Sequence, residues 1–318
     1  MRLVGAIARR LAIFLVTALV ASLIIFLIVQ ALPGDVAQTT LGLGASPEAL
    51  AALRTTWGLD RPLAPRYLEW VAGLLHGDFG ASYLTGQSVA SQIMPRLAVT
   101  GWLIGWSIPL SVVVAIPLGL IAAILRRRVS GALVNGLSYV GLAVPVFFAG
   151  TVLTIVFAVT LGWLPANGYV PLRRGVGAWI AHLVMPVTAM VIVQASLLAR
   201  YVRAGFIDVL TEDYYQTARA VGWTRWRGLV RHGWRNMATS LVTVIGLQTA
   251  SLLVGAVLVE QVFVLPGLGS LLLSAVSSRD LMVVQGVAMV LVFAVLLINF
   301  LVDLAYLAID PRLARRAG

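Results

Sequence analysis

The sequence predicts an all-α integral membrane protein, a single domain over residues 1–318 with six transmembrane helices. Of its 318 residues 60% are hydrophobic and only 11% are charged, and the mean hydropathy is +0.97. A soluble domain of this size carries about 25% charged residues. Six apolar runs are each long enough to cross a ~30 Å hydrocarbon layer as a helix. These predicted spans are approximately 11–32, 98–125, 133–161, 182–201, 241–265 and 281–309.

The arginines predict which side of the membrane each loop faces. Sixteen of them lie in the N-terminal arm, at 126–128, in 200–235 and in the C-terminal tail, and seven lie on the opposite side. Because cytoplasmic loops carry an excess of basic residues, we expect both termini in the cytoplasm. The net charge of +11 could indicate nucleic-acid binding. Because the arginines cluster between apolar spans, we interpret the charge as a sign of membrane topology and expect no nucleic acid as a partner. The first apolar run is too long for a signal-peptide core, so we expect an uncleaved first span.

A mostly polar segment, 33–96, follows the first span and is expected to be extracytoplasmic. Pro47–Leu53 has the pattern of a short helix, with Ser46 as its cap and proline at the first helical position. Tyr67–Leu75 reads as another helix. Prolines inside the second, third and fourth spans predict kinked helices.

The most informative polar stretch is 208–236, between the fourth and fifth spans. Glu212–Val221 can form a short helix, and the small side chains of Thr217, Ala218 and Ala220 would let another protein approach it closely. This predicts a docking surface on a loop that the arginine distribution places in the cytoplasm. The alternative is a basic loop that only contacts anionic lipid headgroups.

Two residues predict the turn of a helical hairpin in this stretch. Gly222 fits the end of the first helix, because glycine adopts left-handed backbone angles without steric cost. Thr224 is a candidate N-cap for a second helix that we expect to end near Arg235.

Several polar residues lie within the predicted spans. Intramembrane carboxylates are functional candidates by default, but Glu260 and Asp303 lie near span ends, which favours snorkelling or pairing over a proton relay. The uncharged candidates either line a pathway or hydrogen-bond between helices. The candidate pathway or gating residues are Gln248, Glu260, Gln285 and Asn299.

Composition and spacing argue against several kinds of chemistry. The chain has no cysteine and no lysine, so it holds no thiolate metal site and no P-loop. Its three histidines are far apart and have no carboxylate at metal-ligand spacing, so no metal is expected. No nucleophile–base arrangement is visible, so the chain is not expected to be an enzyme.

Five segments in order carry a family resemblance. They are Pro33-Gly34-Asp35, WGLDRPLAPRYLEWVAGLLHGDFGASY at 57–83, TARAVG at 217–222, VEQVFVLPGLG at 259–269 and NFLVDLAY at 299–306. Together they resemble the inner-membrane permeases of the dipeptide/oligopeptide/nickel ABC importer family. The long segment after the first span is similar to that of the B-type subunit.

The resemblance implies that 208–236 is a cytoplasmic coupling-helix hairpin, related to the EAA motif of such permeases but departing from it at Gln216 and Thr217. The implied ATPase-coupling residues are Tyr214, Gln216, Thr217, Ala218, Arg219, Ala220, Gly222, His232 and Asn236.

The resemblance also implies the setting of the chain. It would be a multi-pass subunit of the bacterial inner membrane, importing di- or oligopeptides without catalysis of its own. Its partners would be a C-type permease, two cytoplasmic ATPases that bind ATP and Mg, an extracytoplasmic binding protein and the lipid bilayer. Nickel or another small solute is an alternative cargo. The alternative from another class is a secondary transporter or channel. It is disfavoured because the sequence shows no charged site near the membrane midplane and no obvious inverted repeat.

Overall fold

The computed structural model describes residues 2–31, 36–42, 44–228 and 234–309. In these ranges the chain is helical, and the pairing of extended backbone there is limited to one antiparallel bridge between Ala81 and Ser88. The α-helices are α1 Arg2–Ala31, α2 Val36–Leu41, α3 Pro47–Thr56, α4 Leu63–Leu75, α5 Val89–Ile124, α6 Val129–Ala143, α7 Val146–Leu153, α8 Val176–Thr211, α9 Asp213–Ala220, α10 Arg225–Gly228, α11 Trp234–Val262, α12 Leu268–Ser278 and α13 Leu281–Ile309.

Four helices of the described ranges, α1, α5, α8 and α13, are long and apolar enough to cross a membrane. A fifth crossing results if the bent pair of α6 and α7 is one span. The predicted fifth span falls in α11. The apolar helical stretch found there, Ala250–Val262, is shorter than the helices counted as candidate spans. The all-helical membrane class is therefore confirmed, whereas the count of six spans stays a prediction.

The third predicted span is not one helix. It breaks at Val144 and Pro145, and its two halves meet at 100°. Pro145 has no N–H to donate and disfavours helical angles at the residue before it, and Val144 is extended with ψ 119°. Beyond α7 the chain continues as a π-helix over Thr154–Thr160. In contrast, α8 continues across Pro186.

The segment after the first span contains the two predicted helices. Ser46 accepts a hydrogen bond from the backbone N–H of Ala49 at 3.2 Å, which confirms it as the N-cap of α3. The second helix, α4, begins at Leu63, four residues before the predicted start. The sequence did not predict α12, which begins directly after the Pro266–Gly267 turn.

The described chain forms two compact units. The first consists of the described parts of Met1–Arg10, Gly101–Leu265 and Ile298–Gly318. Its core is formed by apolar side chains from α5, α8, α9 and α11. The helices α5 and α8 approach each other closely at Gly119, where an added Cβ would lie 2.6 Å from both the Ala199 carbonyl oxygen and the Val202 Cβ. Glycine is therefore required there for the two helices to pack.

The second unit consists of the described parts of Leu11–Thr100 and Pro266–Leu297. Its core joins α1, the start of α5, α12 and α13. The helix α4 packs on α1 through a hydrogen bond of 2.9 Å between the Ser22 and Tyr67 hydroxyls, and Phe26 lies edge-on to Tyr67. These contacts fix the segment after the first span to α1.

Candidate functional site

The end of α9 has the geometry that the sequence predicts. Gly222 has φ +95°, in the region that favours glycine. The Gly222 N–H donates to the Arg219 carbonyl at 3.0 Å, and the Trp223 N–H donates to the Ala218 carbonyl at 3.1 Å. This pair of hydrogen bonds is a Schellman motif, which satisfies the last carbonyls of the helix. The predicted glycine helix end is confirmed.

One side of α9 is held in the core by Tyr215, which the sequence analysis did not select. Tyr215 is buried and packs with Phe206 and Val209 of α8 and with Leu241 of α11. Gly228 of α10 lies against its ring, where an added Cβ would be 3.0 Å from Cε2. The helix is therefore anchored by one aromatic side chain, and its opposite side faces outward.

The outward side of α9 carries two of the three predicted small residues. A helix turns about 100° per residue, so Thr217 and Ala220 point away from Tyr215, and both are exposed. Ala218 lies nearer the buried side and is half-buried. The free surface is thus centred on Thr217 and Ala220, with Ala218 at its edge and with Tyr214 also exposed.

Two polar side chains fix α9 to its surroundings. Gln216 donates through Nε2 to the Leu210 carbonyl at 2.9 Å, which ties α9 to the end of α8. Arg219 donates to the Trp223 carbonyl and holds the turn after the helix. Both side chains therefore hold α9 through contacts within the chain itself.

The start of the second helix of the hairpin is as predicted. The Thr224 hydroxyl accepts from the Arg227 N–H at 3.2 Å, which confirms it as a cap. The helix it begins, α10, is described from Arg225 to Gly228, and Arg235 belongs to α11; because residues 229–233 lie outside the described part, the predicted end near Arg235 stays a prediction. His232 lies outside the described residues. Asn236 belongs to α11, but its side chain also lies outside the described part of the structure.

Three of the four candidate pathway residues belong to the first unit and one belongs to the second. Gln248 is half-buried and Glu260 is fully buried, and both belong to α11 in the first unit. Asn299 of α13 is exposed, and its Oδ1 lies 3.6 Å from where a Cβ on Gly246 would be. Gln285 is buried in the second unit and lines a cavity there. A shared pathway for these four residues stays a prediction.

The second intramembrane carboxylate is paired. Asp303 forms a salt bridge with Arg10, and both belong to the first unit. This agrees with the prediction that pairing is favoured over a proton relay. Among the described residues, no group of three or more histidine or acidic side chains is placed to hold a metal ion.

Within the second unit, the segment after the first span forms a cavity of about 220 Å³ together with residues of α1 and α13, and its walls are aromatic and charged. On its rim Arg61 forms a bidentate pair with Glu69, at 2.8 and 2.5 Å, which lowers the pKa of the Glu69 carboxyl. Tyr83 stacks near Trp57 with ring centroids 4.8 Å apart. Burial raises the pKa of the Tyr83 phenol, because the charged form loses solvation.

Comparison with known families decides what kind of protein this is. The family described as "Binding-protein-dependent transport system inner membrane component" matches residues 115–315, and the N-terminal family of such membrane components matches residues 3–103. The chain belongs to this family of inner-membrane transport components. As a member of the family it is a transmembrane permease subunit, and the predicted recognition is confirmed.

Relatives of this permease match it over nearly its whole length. A protein of Brucella abortus named as a peptide transport system permease is 38% identical over 306 residues, 96% of this chain and 98% of the relative. A protein of Sinorhizobium fredii named as a peptide ABC transporter permease is 36% identical over 96% of this chain and 98% of its own. The glutathione transport system permease of a Salmonella strain is 37% identical over 95% of this chain and 96% of its own.

Proposed function

We propose that this permease is the B-type subunit of an ATP-driven importer of di- or oligopeptides in a bacterial inner membrane. It would form half of a translocation pathway with a C-type permease. Two cytoplasmic ATPases would bind ATP and Mg, and a binding protein would deliver substrate from outside. The observation that carries this proposal is the sequence similarity, over nearly the whole chain, to proteins named as peptide permeases. The small, exposed side chains on the outward side of α9 support it.

The topology proposed is six spans with both termini in the cytoplasm. The spans would be α1, α5, the bent pair α6–α7, α8, α11 and α13. The arginine excess of sixteen to seven supports the orientation. In this orientation α9 would face the cytoplasm and segment 33–96 would face the outside.

The hairpin supports the coupling role by its construction. Tyr215 and Gln216 fix α9 to the core of the first unit, so a force on α9 is transmitted to α8. The small side chains of Thr217 and Ala220 leave the outer surface open to a groove on another protein. A helix held rigidly on one side and small on the other is suited to transmit motion from an ATPase.

The substrate class is supported by the names of the relatives. Two are named for peptides, and a third is named for glutathione, which is itself a tripeptide. Nickel or another small solute is the alternative cargo that the family resemblance leaves.

Transport by the reconstituted complex tests the function. The chain, its C-type partner, both ATPases and the binding protein are placed in proteoliposomes, and uptake of a labelled dipeptide is measured with and without ATP. We expect ATP-dependent uptake that unlabelled glutathione or oligopeptide reduces and that Ni²⁺ does not. ATP-dependent uptake of Ni²⁺ without uptake of any peptide would show that the peptide assignment is wrong.

Cysteine labelling tests the topology, because the natural chain has no cysteine. Ser130 and Thr85 are both exposed. We expect Ser130→Cys to react with an impermeant maleimide only from the cytoplasmic side, and Thr85→Cys only from the outside. Labelling of both positions from one side would contradict the six-span topology.

A further inference from the structure

A second feature of the first unit lies beside the coupling hairpin. A cavity of about 260 Å³ opens between the turn after α5 and the inner edge of α9. We refer to it as the arginine notch. The side chains relevant to its chemistry are Arg126, Arg127, Arg128, Arg219, Tyr215 and Gln216.

The described lining of the notch is rich in basic residues. Four arginines are among the described lining residues, and none of those residues is acidic. The acidic residues nearest in sequence are Asp208, Glu212 and Asp213, and they are not among the described lining residues. Four like charges around one cavity repel one another, so an anion in the cavity would stabilise the arrangement.

Uncharged groups of the notch add hydrogen-bonding capacity. The Tyr215 side chain is 97% buried, since it is 3% exposed, and its hydroxyl has no hydrogen-bond partner in the described structure. A buried hydroxyl without a partner is uncommon in folded proteins and calls for one. Gln216 is held in place by its bond to the Leu210 carbonyl. An anion with several acceptor oxygens would suit these donors.

We propose that the arginine notch binds a phosphate group, carried either by an anionic lipid headgroup or by soluble phosphate. One guanidinium group can donate two parallel hydrogen bonds to two oxygens of a phosphate. Arg127 and Arg128 are exposed and able to turn toward the cavity. Because the cavity has room for about eight water molecules, a phosphate with part of its carrier fits. The bound group would join α9 to the turn between α5 and α6. The site needs neither the ATPases nor the transported substrate, so it goes beyond the proposed function.

The test compares a notch variant that removes two arginine charges with a control variant that removes one elsewhere on the surface, both in the purified full-length chain. The notch variant is Arg127→Gln combined with Arg128→Gln. The control is Arg227→Gln, an exposed arginine of α10 that lies over the Trp223 ring and does not line the notch. Since all three arginines are exposed, the variants are expected to fold.

Soluble phosphate is tested in nanodiscs of phosphatidylcholine only. The thermal midpoint is followed by tryptophan fluorescence while sodium phosphate is added, with sodium chloride at equal ionic strength as reference. Lipid is tested by native mass spectrometry of chain released from nanodiscs with equal phosphatidylglycerol and phosphatidylcholine. A phosphate response in the first arm assigns a soluble source, and selective retention of phosphatidylglycerol in the second assigns a lipid source.

We expect the notch variant to lower phosphate or phosphatidylglycerol affinity about tenfold, and the control variant less than about twofold. Tyr215→Phe keeps the charge and the ring, and we expect it to weaken binding about threefold without lowering the thermal midpoint of the ligand-free chain. Equal losses in the notch and control variants, or no binding in either arm, would overturn the site. Unchanged binding in Tyr215→Phe would remove the hydroxyl from it.

Discussion

The glycine at the end of α9, whose φ is +95°, allows the sharpest single perturbation of the hairpin. In Gly222→Val the new Cβ meets no atom within 4 Å, so the cost comes from the backbone and not from crowding. A β-branched residue at φ +95° costs about 1–3 kcal/mol. Relief of that strain would break the two hydrogen bonds from Gly222 and Trp223, each worth about 0.5–1.5 kcal/mol. A net cost of about 2 kcal/mol shifts the equilibrium between the native helix end and its alternatives roughly 30-fold toward the alternatives.

The assay is ATP-dependent peptide uptake by the reconstituted importer, measured together with ATP hydrolysis and with the amount of ATPase that copurifies. We expect Gly222→Val to reduce uptake at least about tenfold while the chain still inserts normally. Uptake by Gly222→Asn should lie between that of Gly222→Val and that of the unmodified chain, because asparagine tolerates left-handed backbone angles better than valine does. Gly177→Val is the matched control, since Gly177 is exposed in the first turn of α8 and its Cβ would also meet nothing.

The reasoning is refuted if Gly222→Val transports as well as the unmodified chain at equal expression. It is also refuted if Gly177→Val impairs transport as much as Gly222→Val does.

Three further predictions follow from single contacts. Gly119→Val should destabilise the packing of α5 on α8 by about 1–3 kcal/mol and lower the yield of folded chain, whereas Gly101→Val, with open space around it, should not; size-exclusion chromatography with a thermal melt measures both, and equal yields would contradict this. Ser46→Ala should cost α3 about 1 kcal/mol and speed amide exchange in that helix alone. The raised pKa of Tyr83 contributes stability that is present below the ordinary tyrosine pKa and lost as the pH rises through the raised value. Alkaline ultraviolet titration of the unmodified chain and of Tyr83→Phe isolates the tyrosinate signal of Tyr83 as their difference. We expect this signal to appear at a higher pH than that of an ordinary tyrosine, and a signal at the ordinary pH or below it would contradict the prediction.

The local features of the hairpin were predictable because they depend on neighbouring residues in the chain. Gly222 and Thr224 have properties that fix a helix end and a helix start wherever the chain places them. The same holds for Ser46 before Pro47. The apolar runs predicted the membrane class, since hydropathy depends on composition rather than on contacts.

The tertiary features were not predictable in this way. Which side of α9 is buried depends on the cavity that α8 and α11 leave for Tyr215, and two adjacent tyrosines look alike in the sequence. Pro145 signalled a disturbance of the third span, but the 100° bend also needs an extended Val144. The notch brings Arg126–Arg128 together with Arg219, residues that are far apart in the chain. The sequence revealed the stretch of small residues, but it did not reveal that Ala218 is turned partly inward.

The most direct test of the central claim is a cross-link from the outward side of α9. The chain is cysteine-free, so Ala220→Cys carries a benzophenone maleimide at one defined position. The labelled complex is illuminated in native membranes, and Thr85→Cys serves as the exposed control on the other side. We predict an adduct with an ATPase subunit from Ala220→Cys and none from Thr85→Cys. An adduct with lipid alone at Ala220→Cys, in membranes where the ATPases are present and active, would contradict the account of α9 as the docking helix.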